Sequence, residues 1–184
     1  MANEHDTLDG FIGDFISRQP MFFVATAAAD GLVNVSPKGG DGTLVVLDSR
    51  RIAYLDLTGS GSETIAHVRA LNRITVMWCA FEGPPMIARI HGRAEVITRD
   101  TPEWDEMASR FPDKPGARAI IVVTADRISD SCGMSVPLLE YRSDRDQLDR
   151  WARGKGDEGL RDYRDRKNAT SLDGLPALKE HERG

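Results

Sequence analysis

Thr58, Ser60 and Ser62 alternate with Gly59 and Gly61 and run directly into Glu63-Thr64 and the start of a short helical pattern. Small hydroxyl side chains and free backbone amides gathered at a helix start can converge on one anion, which suits a phosphate. Read alone, the same stretch is also a capped turn, with Ser62 as N-cap and the glycines making the bend. Two more specific phosphate signatures fail. A Walker A loop lacks its lysine here, and Thr64 stands where a dinucleotide fingerprint needs a third glycine.

A second group is Asn34-Val-Ser-Pro-Lys-Gly-Gly40. In an extended chain Asn34, Ser36 and Lys38 share one face, and Pro37 puts the stretch at a sheet edge or a strand end. A lysine beside glycines can reach an anion while the backbone approaches it closely; a solvated turn lysine is the plainer alternative. His91-Gly-Arg93 lies in an apolar strand, where Gly92 admits a close neighbour and Arg93 either offers charge or pairs with Glu95. His5, His67, His91, His181, Cys79 and Cys132 show no metal-ligand spacing, so no metal site is expected. There is no Gly-x-Ser-x-Gly nucleophile motif, and no residue stands out as a catalytic acid or base.

Strands must carry these groups. Met21 to Thr26, Leu32 to Ser36, Thr43 to Leu47, Arg51 to Asp56, Ile74 to Phe81, Met86 to Ile97 and Ala119 to Thr124 all read as strands. Asp30-Gly31 and Asp41-Gly42 are turn signals between them. Linkers this short favour an antiparallel sheet closing into a barrel over parallel crossovers. Leu8, Phe11, Ile12, Phe15 and Ile16 form one helical face capped by Thr7 and ended by Pro20. Further helices are expected from Glu63 to about Leu71 and, after Thr101-Pro102, from Glu103 to Phe111.

Beyond residue 140 the composition becomes strongly charged with both signs mixed. Ser143 can cap a helix presenting Leu148 and Trp151, and a second one from Glu158 to Lys167 would present Leu160 and Tyr163. The expected organisation is a barrel domain over residues 1–140 and a helical extension over 141–184, docked on the barrel or on a second subunit.

The 184 residues carry a formal net charge of -5, which argues against nucleic-acid binding. No apolar run is long enough for a membrane helix. Two cysteines make no disulfide framework, and the first residues lack a signal-peptide pattern, so a reduced, cytoplasmic setting is expected.

Taken in order, several segments resemble the pyridoxamine 5′-phosphate oxidase-like family of flavin-binding split barrels. They are Phe22-Phe-Val-Ala-Thr26 with Asp30-Gly31, Val33-Asn-Val-Ser-Pro-Lys38, Tyr54 through His67, Arg73-Ile-Thr-Val-Met-Trp78 and Ile90-His-Gly-Arg93. The tail is similar to one branch of it in Ser131-Cys-Gly-Met-Ser-Val-Pro137, Trp151, Lys155-Gly156, Lys167-Asn168 and Asp173-Gly-Leu-Pro176. The resemblance implies a mainly β, six-stranded antiparallel split barrel with peripheral helices. It also implies a homodimer holding FMN in a cleft between subunits, and redox chemistry on a small substrate. Asn34, Ser36, Lys38, Thr58, Ser60, Ser62 and Thr64 would then form the cofactor shell. Glu63 and Thr64 stand where the oxidase proper carries arginine and lysine, which argues against pyridoxamine phosphate oxidation itself. The alternative is a non-catalytic protein of the same fold that holds a flavin, a deazaflavin or a haem.

Overall fold

Short strands joined by tight turns can pair only with near neighbours in antiparallel fashion. In the computed structural model, which describes residues 3–184, they build one eight-stranded sheet. Its strands are β1 (Asn3–His5), β2 (Met21–Thr26), β3 (Asn34–Gly39), β4 (Leu44–Val46), β5 (Arg51–Leu57), β6 (Ile74–Cys79), β7 (Met86–Ile97) and β8 (Ala117–Cys132). The order is β3-β2-β6-β7-β8-β5-β4, with β1 attached to β8.

The long β8 is the hub. Its first half pairs with β5, from Arg51 opposite Thr124 to Leu57 opposite Ala117. Its second half takes β1, and nearly its whole length pairs with β7. The sheet curls around one core holding Val24, Tyr54, Ile65, Val76, Trp78, Ile90 and Ile121. β3 and β4 are its two ends and do not pair with each other, so the barrel is split.

Two strand expectations need correction. The seven strands read from the sequence, against the six that the resemblance implies, become eight because β1, Asn3-Glu-His5, is short and polar, with no periodic signal; it exists through its pairing with Ile128 to Asp130. The last strand runs well past Thr124, because backbone pairing to β7 continues through the polar Asp126-Arg127. A bulge between His91 and Gly92 absorbs the register shift there.

The first helix, α1 (Phe11–Arg18), starts later than Thr7 suggests, yet Leu8 stays buried beside Ile12, Phe15 and Ile16. α2 (Glu63–Leu71) packs on β2 and β7. α3 shortens to Trp104–Ala108. The two expected C-terminal helices are present, joined end to end as α4 (Gln147–Lys167). Its break falls at Gly156, whose φ of 62° and ψ of -179° only glycine adopts readily. The residues after α4 return to the barrel, where Ala177 and Leu178 enter the main core. Burying Leu178 contributes about 2 kcal/mol. Arg69 of α2 grips the Glu182 carboxylate through Nη1 and Nη2, at 2.8 and 2.6 Å, and also donates to the Ala177 carbonyl. No helix among the described residues is long and apolar enough to cross a membrane.

Candidate functional site

The chemistry collects where β5 runs out past β4. Leu44, Val45 and Val46 cover only Ile52 to Tyr54, so Asp56 extends toward the gap between the sheet's ends. Asp56 is fully buried, and a buried carboxylate needs counter-charge. It has two cations. Lys38 Nζ on β3 donates to Oδ1 at 2.7 Å, and Arg118 Nε on β8 donates to Oδ2 at 2.7 Å. Burial pushes the Asp56 carboxyl up, but the Arg118 and Lys38 charges outweigh it and hold its pKa at about 2. Arg118 also donates from Nη2 to the Gly61 carbonyl at 2.8 Å, while its Nη1 is buried without a partner.

Asn34, Ser36 and Thr64 come together as expected from their positions on one strand and the facing helix start. Ser36 Oγ donates to Asn34 Oδ1 at 2.9 Å. Asn34 Nδ2 lies 3.1 Å from Thr26 Oγ1 and 3.2 Å from Thr64 Oγ1. Thr26 continues the chain to His67 Nδ1 at 3.1 Å, and His67 Nε2 is buried with no partner. Tyr54 Oη is likewise buried and unpartnered, and burial beside Asp56 pushes its phenol well above the ordinary value.

The loop hydroxyls behave differently from the expected cradle. Thr58 Oγ1 donates to the Gly116 carbonyl at 2.7 Å and accepts from Arg164 Nε at 2.9 Å. Ser62 makes no capping bond; its Oγ donates to the Asn168 carbonyl at 3.3 Å. Asn168 Nδ2 returns a bond to the Gly59 carbonyl at 3.0 Å. Both hydroxyls are therefore committed to the chain itself, and only Ser60 is exposed at the loop tip. The Glu63 carboxylate folds back over Gly61, where a Cβ would collide with it, and accepts from Leu172 N at 3.3 Å.

The sequence reading missed Asp56, Arg118, Arg164 and Asn168. A carboxylate closing the apolar run of β5 and an arginine inside Ala117-Arg-Ala-Ile-Ile121 were the available signals, since isolated charges in buried strands must find each other. Arg164 is buried among carbonyls and Thr58, and burial with Arg99 and Arg118 nearby lowers its pKa to about 10. His91 lies away from this network, on the outer face of the sheet opposite Thr75 and Arg127. Arg93 pairs with Asp126 at 3.5 Å rather than with Glu95. One group of metal-capable donors does come together among the described residues, Asp100, His181 and Glu182. Glu182 spends both oxygens on Arg69 and one of them also on Lys179 N, so the group works as an ion-pair cluster.

Comparison with known proteins gives a consistent answer. Residues 8–132 match the family described as Pyridoxamine 5′-phosphate oxidase. The chain is 38% identical over 191 residues to the pyridoxamine 5′-phosphate oxidase family protein ustO of Aspergillus flavus, covering 95% of this chain and 77% of that protein. A putative pyridoxamine 5′-phosphate oxidase from Lactobacillus delbrueckii aligns with a TM-score of 0.51 at 20% identity, over 68% of this chain and 97% of its own. A FAD-binding protein from Mesorhizobium loti aligns with a TM-score of 0.51 at 15% identity, over 71% of this chain and 96% of its own. At such identities the two structures speak for the fold.

Proposed function

The chain belongs to the pyridoxamine 5′-phosphate oxidase family, and from that premise we propose that it binds FMN and uses it as an oxidoreductase on a small substrate. The observation that carries this reading is a set of buried polar atoms with no partner around β5 and the loop after it: Tyr54 Oη, His67 Nε2, Arg118 Nη1 and Asn168 Oδ1. Buried donors and acceptors are costly unless something completes them. Two cations, Lys38 and Arg118, share a single carboxylate here, which leaves positive charge for a phosphate.

Lys38 and Arg118 would hold the phosphate, with Ser60 at the loop tip. Asn34, Ser36 and Thr64 would supply hydrogen bonds to the rest of the cofactor, and Thr58 and Ser62 keep the loop in shape. Flavin, when bound, supplies the electron-transfer chemistry; the protein binds it, orients it and keeps water away. We place the partner subunit on the outer face of β3, β2 and β6. There Val33 and Val35 are 70% and 62% exposed beside half-buried Phe23, Ala25 and Met77, so a homodimer would bury apolar surface and wall the cleft.

A specific observation favours a second reading, a non-catalytic holder of a flavin, deazaflavin or haem. The tail seals the loop through Arg164 and Asn168, and Glu63 places negative charge over Gly61. The visible spectrum of purified protein separates these. A two-band flavin spectrum whose bound cofactor is reduced by a nicotinamide donor and reoxidised by substrate supports the enzyme; a stable but unreactive chromophore supports the holder. Colourless protein that takes up neither FMN nor FAD overturns the flavin reading.

A further inference from the structure

After α4 the tail makes a tight turn closed by a bridge between Thr170 and Pro176. Ser171 N–H donates to the Leu175 carbonyl at 2.9 Å, Gly174 N–H to the Ser171 carbonyl at 3.0 Å, and Leu175 N–H to Ser171 Oγ at 3.1 Å. Gly174 sits at the corner with a φ of 77°, where other side chains are strained. A turn fixed by so many bonds presents a defined surface. Its outermost side chain is nevertheless apolar, with Leu172 80% exposed.

Leu172 is not isolated. The neighbouring Asp173 accepts from Leu32 N–H at 2.9 Å through Oδ2, and Gly31 lies so close to that carboxylate that a Cβ would strike it. The tail turn is thereby stapled to the connection between β2 and β3. Leu32 is itself 61% exposed and leads straight into the exposed Val33 and Val35. Single exposed apolar side chains are ordinary, but four of them on two stapled segments form a patch. A stable dimer buries about 800 Å² on each subunit. The two valines with the half-buried Phe23, Ala25 and Met77 beside them fall short of that area, and the two leucines continue the apolar surface beyond the start of β3.

We infer that the tail turn at Leu172 belongs to the subunit interface, where a second copy of this chain covers Leu32, Val33, Val35 and Leu172 together. This placement rests on the homodimer of the proposed function and extends it from the sheet to the tail. It also ties the interface to the loop after β5. Leu172 N–H holds Glu63 Oε1 at 3.3 Å, and the other oxygen of that carboxylate lies over Gly61. Asn168, just before the turn, holds the Gly59 carbonyl at 3.0 Å and accepts from Ser62 Oγ at 3.3 Å. A partner seated on the turn therefore steadies the hydrogen bonds that shape the loop, before any ligand enters.

The test uses the full chain without added cofactor, so the flavin reading can fail without touching the result. Sedimentation equilibrium is expected to give a dimer for the parent chain and a dissociation constant at least tenfold larger in Leu172→Gln and in Leu32→Gln. Phe11→Gln, at a side chain 63% exposed on α1, serves as the control and leaves the dimer unchanged. In Leu172→Cys, alkylation at that position, read by mass spectrometry, is slower in concentrated than in dilute protein. Hydrogen exchange of the Ser60 and Gly61 amides in the parent chain slows in the same way. An undiminished dimer in Leu172→Gln, alkylation at position 172 that ignores concentration, or equal weakening by Phe11→Gln overturns the proposal; if Val35→Glu still separates the subunits, the sheet face stands without the tail. Loop exchange independent of concentration overturns the link to the loop. A parent chain that stays monomeric overturns the sheet face and the tail together.

Discussion

Lys38 Nζ on β3 and Asp56 Oδ1 on β5 lie 2.7 Å apart, and this ion pair ties the open end strand β3 to the opposite side of the split barrel. The edge strand β4 pairs only with Ile52 to Tyr54, and one further backbone bond, Leu55 N–H to the Thr43 carbonyl at 2.8 Å, stops just short of Asp56. Lys38 keeps 21% of its side chain exposed while Asp56 keeps 1%, so the pair has a wet end and a dry end.

Removing the dry end should be the more damaging change. Asp56→Asn leaves Arg118, with 4% of its side chain exposed, without counter-charge. The expected loss of unfolding free energy is about 3–5 kcal/mol. Urea denaturation measures it; a loss below that of Lys38→Ala would show that the cations do not depend on Asp56.

Lys38→Ala should act on the ligand more than on the fold. If Lys38 holds the flavin phosphate, FMN affinity should fall by about ten- to a hundredfold, the scale of one charged hydrogen bond. Fluorescence quenching of titrated FMN reads this directly, and unchanged affinity would move the phosphate elsewhere.

Acid should find the same cluster. The Asp56 pKa is lowered in the fold to about 2 from 3.8, so its stabilisation is complete above pH 3.8 and is lost as pH falls through about 2. The amount is about 2 kcal/mol. Stability measured from pH 5 to pH 2 should fall less steeply in Asp56→Asn than in the parent chain, and parallel curves would contradict the assignment.

Glu63→Gln should strengthen anion binding at the loop. The amide keeps an oxygen for the Leu172 N–H but removes the charge lying over Gly61. FMN should bind about fivefold more tightly, consistent with about 1 kcal/mol for a partly screened charge. Calorimetry of both proteins at low and high salt checks it, the gain shrinking as salt rises.

Val35→Glu should separate the subunits. It puts a charge in the middle of the exposed apolar face of β3 and leaves the core untouched. Light scattering is expected to give a dimer for the parent chain and a monomer for the variant; a monomeric parent would remove the proposed cleft.

The strand plan was legible because buried and exposed residues alternate, as in Met21–Thr26, where every second side chain is buried. The bounds of Met86–Ile97 and of the helix Glu63–Leu71 were legible too. β1 was not legible, since three polar residues reveal nothing until β8 offers them an edge. In the site, Asn34, Ser36 and Thr64 meet because strand periodicity and a helix start place them. Thr58 and Ser62 were assigned to a ligand on residue type, but their partners Arg164 and Asn168 lie more than 100 positions further along the chain. Local spacing cannot see a competitor that arrives from so far away. Arg118 was missed for the same reason, its role being defined by Asp56, 62 positions earlier.

The position of β8 has a consequence for synthesis on the ribosome. β1 leaves the exit tunnel before the other strands, yet Asn3 must wait for Asp130, 127 positions later. β5 and β7 also need β8 for one of their edges. Until β8 emerges, the nascent chain can pair only β3-β2-β6-β7 and, separately, β4 with β5, with strand edges open to other chains. The two parts are therefore joined only once β8 has been made, and the interval before it appears is when unpaired strand edges are most open to wrong partners.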